Sequence, residues 1–187
     1  MRAMQFLWHA LKELLVFIAL AALIVLPIRL FIAQPFVVEG QSMAPTLENG
    51  DYLIVDELSH KFSDLDRGDV VVFRFPGDTS VFYIKRIIGL PGEKVHISKG
   101  IVTITKTDGS TLTLDEPYVK QQDASTYSPD RNLGPGQYYV LGDNRANSSD
   151  SRIWGVLPEE DIMGTPMVRL LPVTQTDWNP GDVALPQ

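Results

Sequence analysis

A serine and a lysine are the residues of this sequence best suited to covalent chemistry. Ser42 stands in Gln34–Leu47, QPFVVEGQSMAPTL, after Gly40 and before Pro45 and Thr46. Gly40 allows backbone geometry that other residues resist, so a tight bend is expected there. A hydroxyl on such a bend is either an ordinary turn group or a nucleophile that needs a base. Lys85 is the candidate base. Six of the seven lysines stand in polar surroundings, whereas Lys85 interrupts the apolar Val81–Ile88, VFYIKRII. In a strand Lys85 and Arg86 point to opposite faces, which predicts that one is buried while the other reaches water. Burial penalises an ammonium and lowers its pKa, and an amine neutral near pH 7 is a general base. An edge strand guarded by a lysine is the plain alternative.

A third stretch, Gly142–Arg152, GDNRANSSDSR, is dense in polar groups directly after an apolar run. Asp143, Arg145, Asp150 and Arg152 offer opposite charges that can fix a buried turn through charge-assisted hydrogen bonds. Calcium does not suit the loop, because Arg145 takes a ligand position and no glycine follows Asn147. The chain has no cysteine and three histidines, His9, His60 and His96. Neither of the last two has a second ligand at metal spacing, so no metal and no cofactor are expected. With 16 basic and 23 acidic residues the formal charge is −7, which disfavours nucleic acid as a partner.

The elements that must position these groups follow from hydropathy. Leu14–Ala33 is apolar except for Pro27 and Arg29. Its 20 residues suffice at about 1.5 Å each to cross a bilayer core of roughly 30 Å, so a single transmembrane helix is predicted over 14–33. Arg2 and Lys12 precede it, and after Arg29 no Lys or Arg appears until Lys61. The positive-inside rule then puts a short tail, 1–13, in the cytoplasm and residues 34–187 outside the cytoplasmic membrane. A cleaved secretory leader is the rival; the length of the run and Phe31-Ile32-Ala33 argue against it. Beyond the run, strands are predicted at Phe36–Val38, Tyr52–Val55, Val70–Phe75, Val81–Ile88, Ile101–Thr105, Thr111–Leu114, Tyr138–Leu141 and Met167–Leu171. Ile101–Thr105 and Thr111–Leu114 form a hairpin across Asp108-Gly109, inside an extension at about 94–136. Residues 121–136 read as a polar surface excursion, and Glu159–Met163 as one helical turn. The fold class is mainly β, a partly closed domain on a membrane stalk.

Four segments in order carry a resemblance. They are Ser42–Leu47 (SMAPTL), Arg67–Phe73 (RGDVVVF), Tyr83–Glu93 (YIKRIIGLPGE) and Gly142–Arg152. Together they resemble the signature boxes of bacterial type I signal peptidases, of Gram-positive or cyanobacterial kind, from about Gln34 to Glu159. The resemblance implies a membrane-anchored Ser–Lys endopeptidase with a partly closed β-barrel, which cuts signal peptides from secreted preproteins after Ala-x-Ala. It implies Ser42 as nucleophile, Lys85 as general base and Ser148 as the hydroxyl that orients the amine. Asp150 with Arg152 is implied as a structural pair, with Asp143 and Arg145 in the same support. The Ser42 N–H is the implied oxyanion donor. Gly40 stands where many Gram-negative members carry a serine donor. Phe36, Val38, Tyr83 and Ile84 are the expected substrate-pocket residues, beside strands to which an extended peptide adds. The implied partners are preproteins and the lipid bilayer. A self-cleaving repressor protease is a poorer match, lacking a membrane anchor. A catalytically inactive, membrane-tethered assembly protein on the same fold is the alternative of another class.

Overall fold

The computed structural model describes residues 2–31, 33–119 and 127–187; within the first helix the side chains of residues 2–7, 10, 24 and 26–31 fall outside the description. That helix, α1, runs Arg2–Phe31. It starts well before Leu14 because residues 2–13 contain no Gly or Pro to break it. It stops at Phe31, so Ala33 belongs to a strand and not to the predicted span: Pro35 drives the preceding residue out of helical geometry. Among the described residues no helix is long and apolar enough to cross a membrane.

The remainder is mainly β. In chain order the strands are β1 (Ala33–Val37), β2 (Tyr52–Asp56), β3 (Val70–Phe75), β4 (Asp78–Gly89), β5 (Lys94–Ser98), β6 (Ile101–Thr105), β7 (Thr111–Thr113), β8 (Ser128–Asn132), β9 (Gln137–Leu141), β10 (Leu157–Pro158), β11 (Ile162–Leu171) and β12 (Asp177–Trp178). A short helix α2 (Ser151–Trp154) and a 3₁₀ turn at Glu159–Asp161 are the main other elements past β9. The first sheet is ordered β1-β2-β11-β3-β4-β9-β10, with β12 on β11; the second is β7-β6-β5-β8. Every pairing is antiparallel.

Four strands were not foreseen, of which β10 and β12 are only two residues long. β5 alternates buried Val95 and Ile97 with half-exposed Lys94 and His96, a period-2 pattern hidden by its charge. β8, SPDRN, is nearly all exposed and forms an edge within the stretch 121–136 read as a surface excursion; residues 121–126 of that stretch lie outside the described residues.

The sheets are open, and the predicted barrel closure is absent among the described residues. Curling of β1-β2-β11-β3-β4 brings β1 back towards β4, yet no ladder joins them. β1 pairs only with β2, and β4 pairs with β9 only over Arg86–Gly89. The outer part of β4 therefore faces β1 across a gap with an unused backbone edge on each side.

Three apolar clusters support this frame. Ile88, Val95, Ile97, Val102, Ile104, Tyr139 and Leu141 join the second sheet to β4 and β9. Val71, Phe73, Ile87, Val140, Leu157 and Ile162 fill the space under β3 and β10. Val38, Met43, Leu47, Leu53 and Val70 lie beneath the loop that carries Ser42, with Ile84 against them.

Candidate active site

The Ser42 loop is pinned at both ends. Val38 N–H donates to Asp51 C=O at 2.9 Å, and Gly50 N–H donates back to Val38 C=O at 2.9 Å. Gly40 has φ +90°, a left-handed geometry that glycine adopts without strain, and its N–H donates to Asn49 Oδ1 at 2.9 Å. Met43 and Leu47 are buried on either side of the bend, each stabilising it by about 2 kcal/mol. From the far side, Asn144 N–H donates to Ser42 C=O and Asn144 Nδ2 to Gln41 C=O, both at 3.0 Å. Buried hydrophobes thus fix the loop from below, and the Gly142–Arg152 segment fixes it from above.

Lys85 reaches this loop from β4. Its Nζ lies 2.8 Å from Ser42 Oγ and donates to Ile84 C=O at 2.8 Å. The amine also sits 5.1 Å from the centre of the Tyr83 ring. Burial pushes the Lys85 pKa from 10.5 down to about 8, partly offset by the negative charges of Asp150 and Asp143. A hydroxyl in contact with an amine that gives up its proton near neutrality is an arrangement for nucleophilic catalysis.

Arg86 departs from the sequence expectation. Lys85 and Arg86 occupy opposite faces of β4, but both are buried, and Arg86 is fully so. Arg86 pairs with Asp143 through Nε–Oδ1 at 2.9 Å and Nη2–Oδ2 at 2.6 Å. Its Nη1 donates to Gly68 C=O at 2.7 Å and Gly181 C=O at 2.5 Å, and its guanidinium stacks 4.1 Å from the Tyr118 ring centre. All three nitrogens donate, in four hydrogen bonds, so the guanidinium is held without exposure to water. Asp143 also accepts from Thr46 Oγ1 at 2.5 Å, so the ion pair holds the bend after Ser42.

The other charges of the polar segment pair differently from one another. Arg152 forks onto Asp150 at 2.7 Å through both Nε and Nη2, and Asp150 accepts from Gly142 N–H at 3.1 Å. Arg145 does not pair with Asp143; its Nη1 and Nη2 donate to Glu116 at 3.0 and 2.5 Å, and Tyr118 Oη donates to the same carboxylate at 2.9 Å. Arg67 and Glu93, from two of the quoted segments, form a buried bidentate pair at 2.9 and 2.7 Å. Glu116 and Tyr118 were missed because DEPYV reads as a polar turn; only the third dimension brings it under Arg145. Arg86 was visible as a charge in an apolar run, and strand alternation assigned it to solvent.

Ser148 lies across Gly142 from the Ser42 carbonyl and makes no hydrogen bond to Ser42 or Lys85. Its Oγ is buried and has no partner among the described residues. A Cβ on Gly142 would come within 2.3 Å of that oxygen and 2.5 Å of Ser42 C=O, so only glycine lets the segment approach. Among the described residues no group of three potential ligands suits a metal ion.

A cleft of about 630 Å³ opens from Ser42 and Lys85 along the gap between β1 and β4. Phe36, Val38, Leu53, Val72, Phe82 and Ile84 make it apolar, and Tyr83, Asn147 and Ser149 also line it. All four residues named from the sequence as pocket residues are on this surface.

Comparison with known proteins gives the same direction. The family model described as signal peptidase, peptidase S26, matches residues 11–171. A probable signal peptidase I-1 of Synechocystis sp. is 36% identical over 175 residues, 90% of this chain and 86% of that protein. Signal peptidase I of Bacillus amyloliquefaciens is 38% identical over 169 residues, 84% of this chain and 82% of that protein. Signal peptidase IB of Staphylococcus aureus is 34% identical over 186 residues, 90% of this chain and 94% of that protein. A crystal structure of a signal peptidase I from Enterococcus faecalis, 28% identical, superposes with a TM-score of 0.46 over 55% of this chain and 97% of that one. Sequence similarity across most of its length thus makes this chain a member of the signal peptidase family, peptidase S26.

Proposed function

We propose that this chain is a membrane-anchored endopeptidase that removes signal peptides after an Ala-x-Ala site, with Ser42 as nucleophile and Lys85 as general base. The observation that carries the proposal is the 2.8 Å approach of a buried Lys85 Nζ to Ser42 Oγ. In its neutral form the amine takes the hydroxyl proton as Oγ attacks the carbonyl carbon of the residue before the cut. The Ser42 N–H, which makes no backbone hydrogen bond among the described residues, donates to the oxyanion. Lys85 then returns the proton to the leaving amine, which departs as the mature chain. Water, deprotonated by Lys85, attacks the ester and releases the signal peptide with its new carboxylate. The proposed role of Ser148 is to accept from the amine as these protons move and keep it in line with Ser42. Its buried hydroxyl has no partner among the described residues and makes no bond to the amine in this structure.

The substrate enters as an extended strand between the free edges of β1 and β4, where backbone groups of both strands are available for hydrogen bonds. Its residues one and three before the cut point at Phe36, Val38 and Ile84, a shallow apolar floor suited to alanine. The proposed anchor is the apolar part of α1 from Leu14 to Phe31, which precedes β1 in the chain and would keep the cleft near the membrane surface.

The test is cleavage of a preprotein bearing an Ala-x-Ala site by the purified chain and by Ser42→Ala, Lys85→Ala and Lys85→Arg. All three variants should be inactive, the last because a guanidinium keeps its proton at any workable pH. Turnover near that of the parent in any of them excludes the Ser–Lys mechanism. An inactive parent that still binds the preprotein identifies a tethering protein instead.

A further inference from the structure

The apolar floor of the cleft continues past Val38 and Ile84, with Phe36 at its outer end. Phe36 and Phe82 touch there edge to face, with ring centroids 5.5 Å apart and planes at 68°. By the two-residue period of extended chain, Phe36 and Val38, the residue just past β1, face the same way, and Phe82 and Ile84 share one face of β4. Leu53 and Val72, the cross-strand partners of Phe36 and Ile84, fill the space between them. The two phenylalanines therefore bridge the gap between the unpaired strands and extend one continuous surface.

Phe82 is nonetheless 43% exposed. Its neighbour Tyr83, on the other face of β4, is packed in the usual way, stacked on Phe75 at 4.8 Å and edge-on to Phe73 at 6.2 Å. A single exposed phenylalanine is ordinary. One that spans a groove and continues the floor of a binding cleft is a surface left for a ligand.

Geometry says which part of the ligand. From Ile84 to Phe82 is two strand residues, about 6.6 Å, which equals the spacing of same-face side chains in an extended peptide. A peptide whose third residue before the cut rests at Ile84 brings its fifth to the Phe36–Phe82 pair. The intervening fourth side chain points away from the floor. We propose that Phe36 and Phe82 form a subsite for a bulky apolar side chain, such as leucine or phenylalanine, five residues before the cut, with Phe82 as its specificity-determining residue. The subsite rests on the endopeptidase reading above and on the peptide lying along the gap between β1 and β4. Leucine there would cover the exposed ring and remove apolar surface from water; asparagine, similar in shape, would bring its amide into a place without partners.

The experiment uses the whole chain and soluble peptides with alanine one and three residues before the cut and either leucine or asparagine at the fifth. The parent should prefer leucine by about tenfold in kcat/KM, mostly through KM. Phe82→Ala should reduce that preference to less than about twofold, and Phe82→Leu should restore most of it. Both variants should still discriminate alanine from aspartate at the first position, which shows that the catalytic end is intact. A parent indifferent to the fifth residue overturns the subsite, as does a Phe82→Ala variant that keeps the full preference. A parent that cleaves no peptide of either kind overturns the endopeptidase reading and the subsite with it; cleavage without alanine selectivity at the first position rejects the groove assignment separately.

Discussion

Lys85 opposes the fold it serves. Burial lowers its pKa from 10.5 to about 8, so between these values the unfolded chain binds the proton and the folded chain does not. The opposition is complete below pH 8 and fades as the pH rises towards 10.5. Lys85→Met should therefore raise the unfolding free energy at pH 7 by up to about 3 kcal/mol, with the gain vanishing near pH 10.5, as read by urea denaturation at both values. The parent's kcat/KM should climb with pH along a limb of apparent pKa near 8, the deprotonation of this amine. A limb at 10 or above would mean that another group is the base. Ser148 allows a sharper separation of function from stability. Its buried hydroxyl has no partner among the described residues, so Ser148→Ala should leave the urea midpoint unchanged. It should lower kcat by roughly ten- to a thousandfold, about 1.4–4 kcal/mol of transition-state stabilisation, with little change in KM. Ser149, exposed at the cleft wall, should change kcat less than about twofold on conversion to alanine.

At the scale of elements, the site is a junction of three segments held by buried ion pairs. β4 brings Lys85 to one side and Arg86 to the other, and Arg86 ties the strand to Asp143, which ties the bend at Thr46. Because Arg86 is fully buried, Asp143→Asn leaves its charge uncompensated and should cost about 3–5 kcal/mol. The exposed cluster of Asp130 with Lys94 and His96 provides the comparison; Asp130→Asn should cost less than about 1 kcal/mol. Equal costs in chemical denaturation would show that Arg86 finds other compensation. Gly142 marks the closest approach between segments. A Cβ there meets Ser148 Oγ and Ser42 C=O, so Gly142→Ala must push the loop away from Ser42. A displacement of about 1 Å suffices for a loss of a hundredfold in kcat, which is the expected outcome in steady-state peptide cleavage.

At the scale of the whole molecule, the proposed division of labour is between α1 and the β domain that follows it. Every group assigned to chemistry lies after β1 begins at Ala33. A chain of residues 33–187 should cleave short soluble peptides within a few-fold of the full chain, and should be slower on preproteins held in vesicles, where the proposed anchor supplies local concentration. Co-sedimentation with vesicles should be lost in the same truncation. Failure on soluble peptides by a folded truncated chain would give α1 a part in the chemistry.

Much of this was legible in the order of residues. Val70–Phe75 and Ile101–Thr105 were read as strands to the residue, because each is bounded by turn formers and rich in β-branched or aromatic side chains. Ser42 and Lys85 were legible as chemical candidates, one by its bend and the other by its apolar surroundings. The four segments in sequence were enough to indicate the family. Local signals do not determine distance between segments far apart in the chain. The approach of Ser42 to Lys85, 43 residues away, depends on how β4 and the Ser42 loop pack over Met43 and Leu47. The partners of the arginines were beyond reach for the same reason. Arg145 chose Glu116, and Arg86 chose Asp143 and two distant carbonyls, because a buried guanidinium binds whatever acceptors folding brings within its fork. Alternation says that Lys85 and Arg86 leave β4 on opposite sides. Only the packing on each side decides that neither of them meets water.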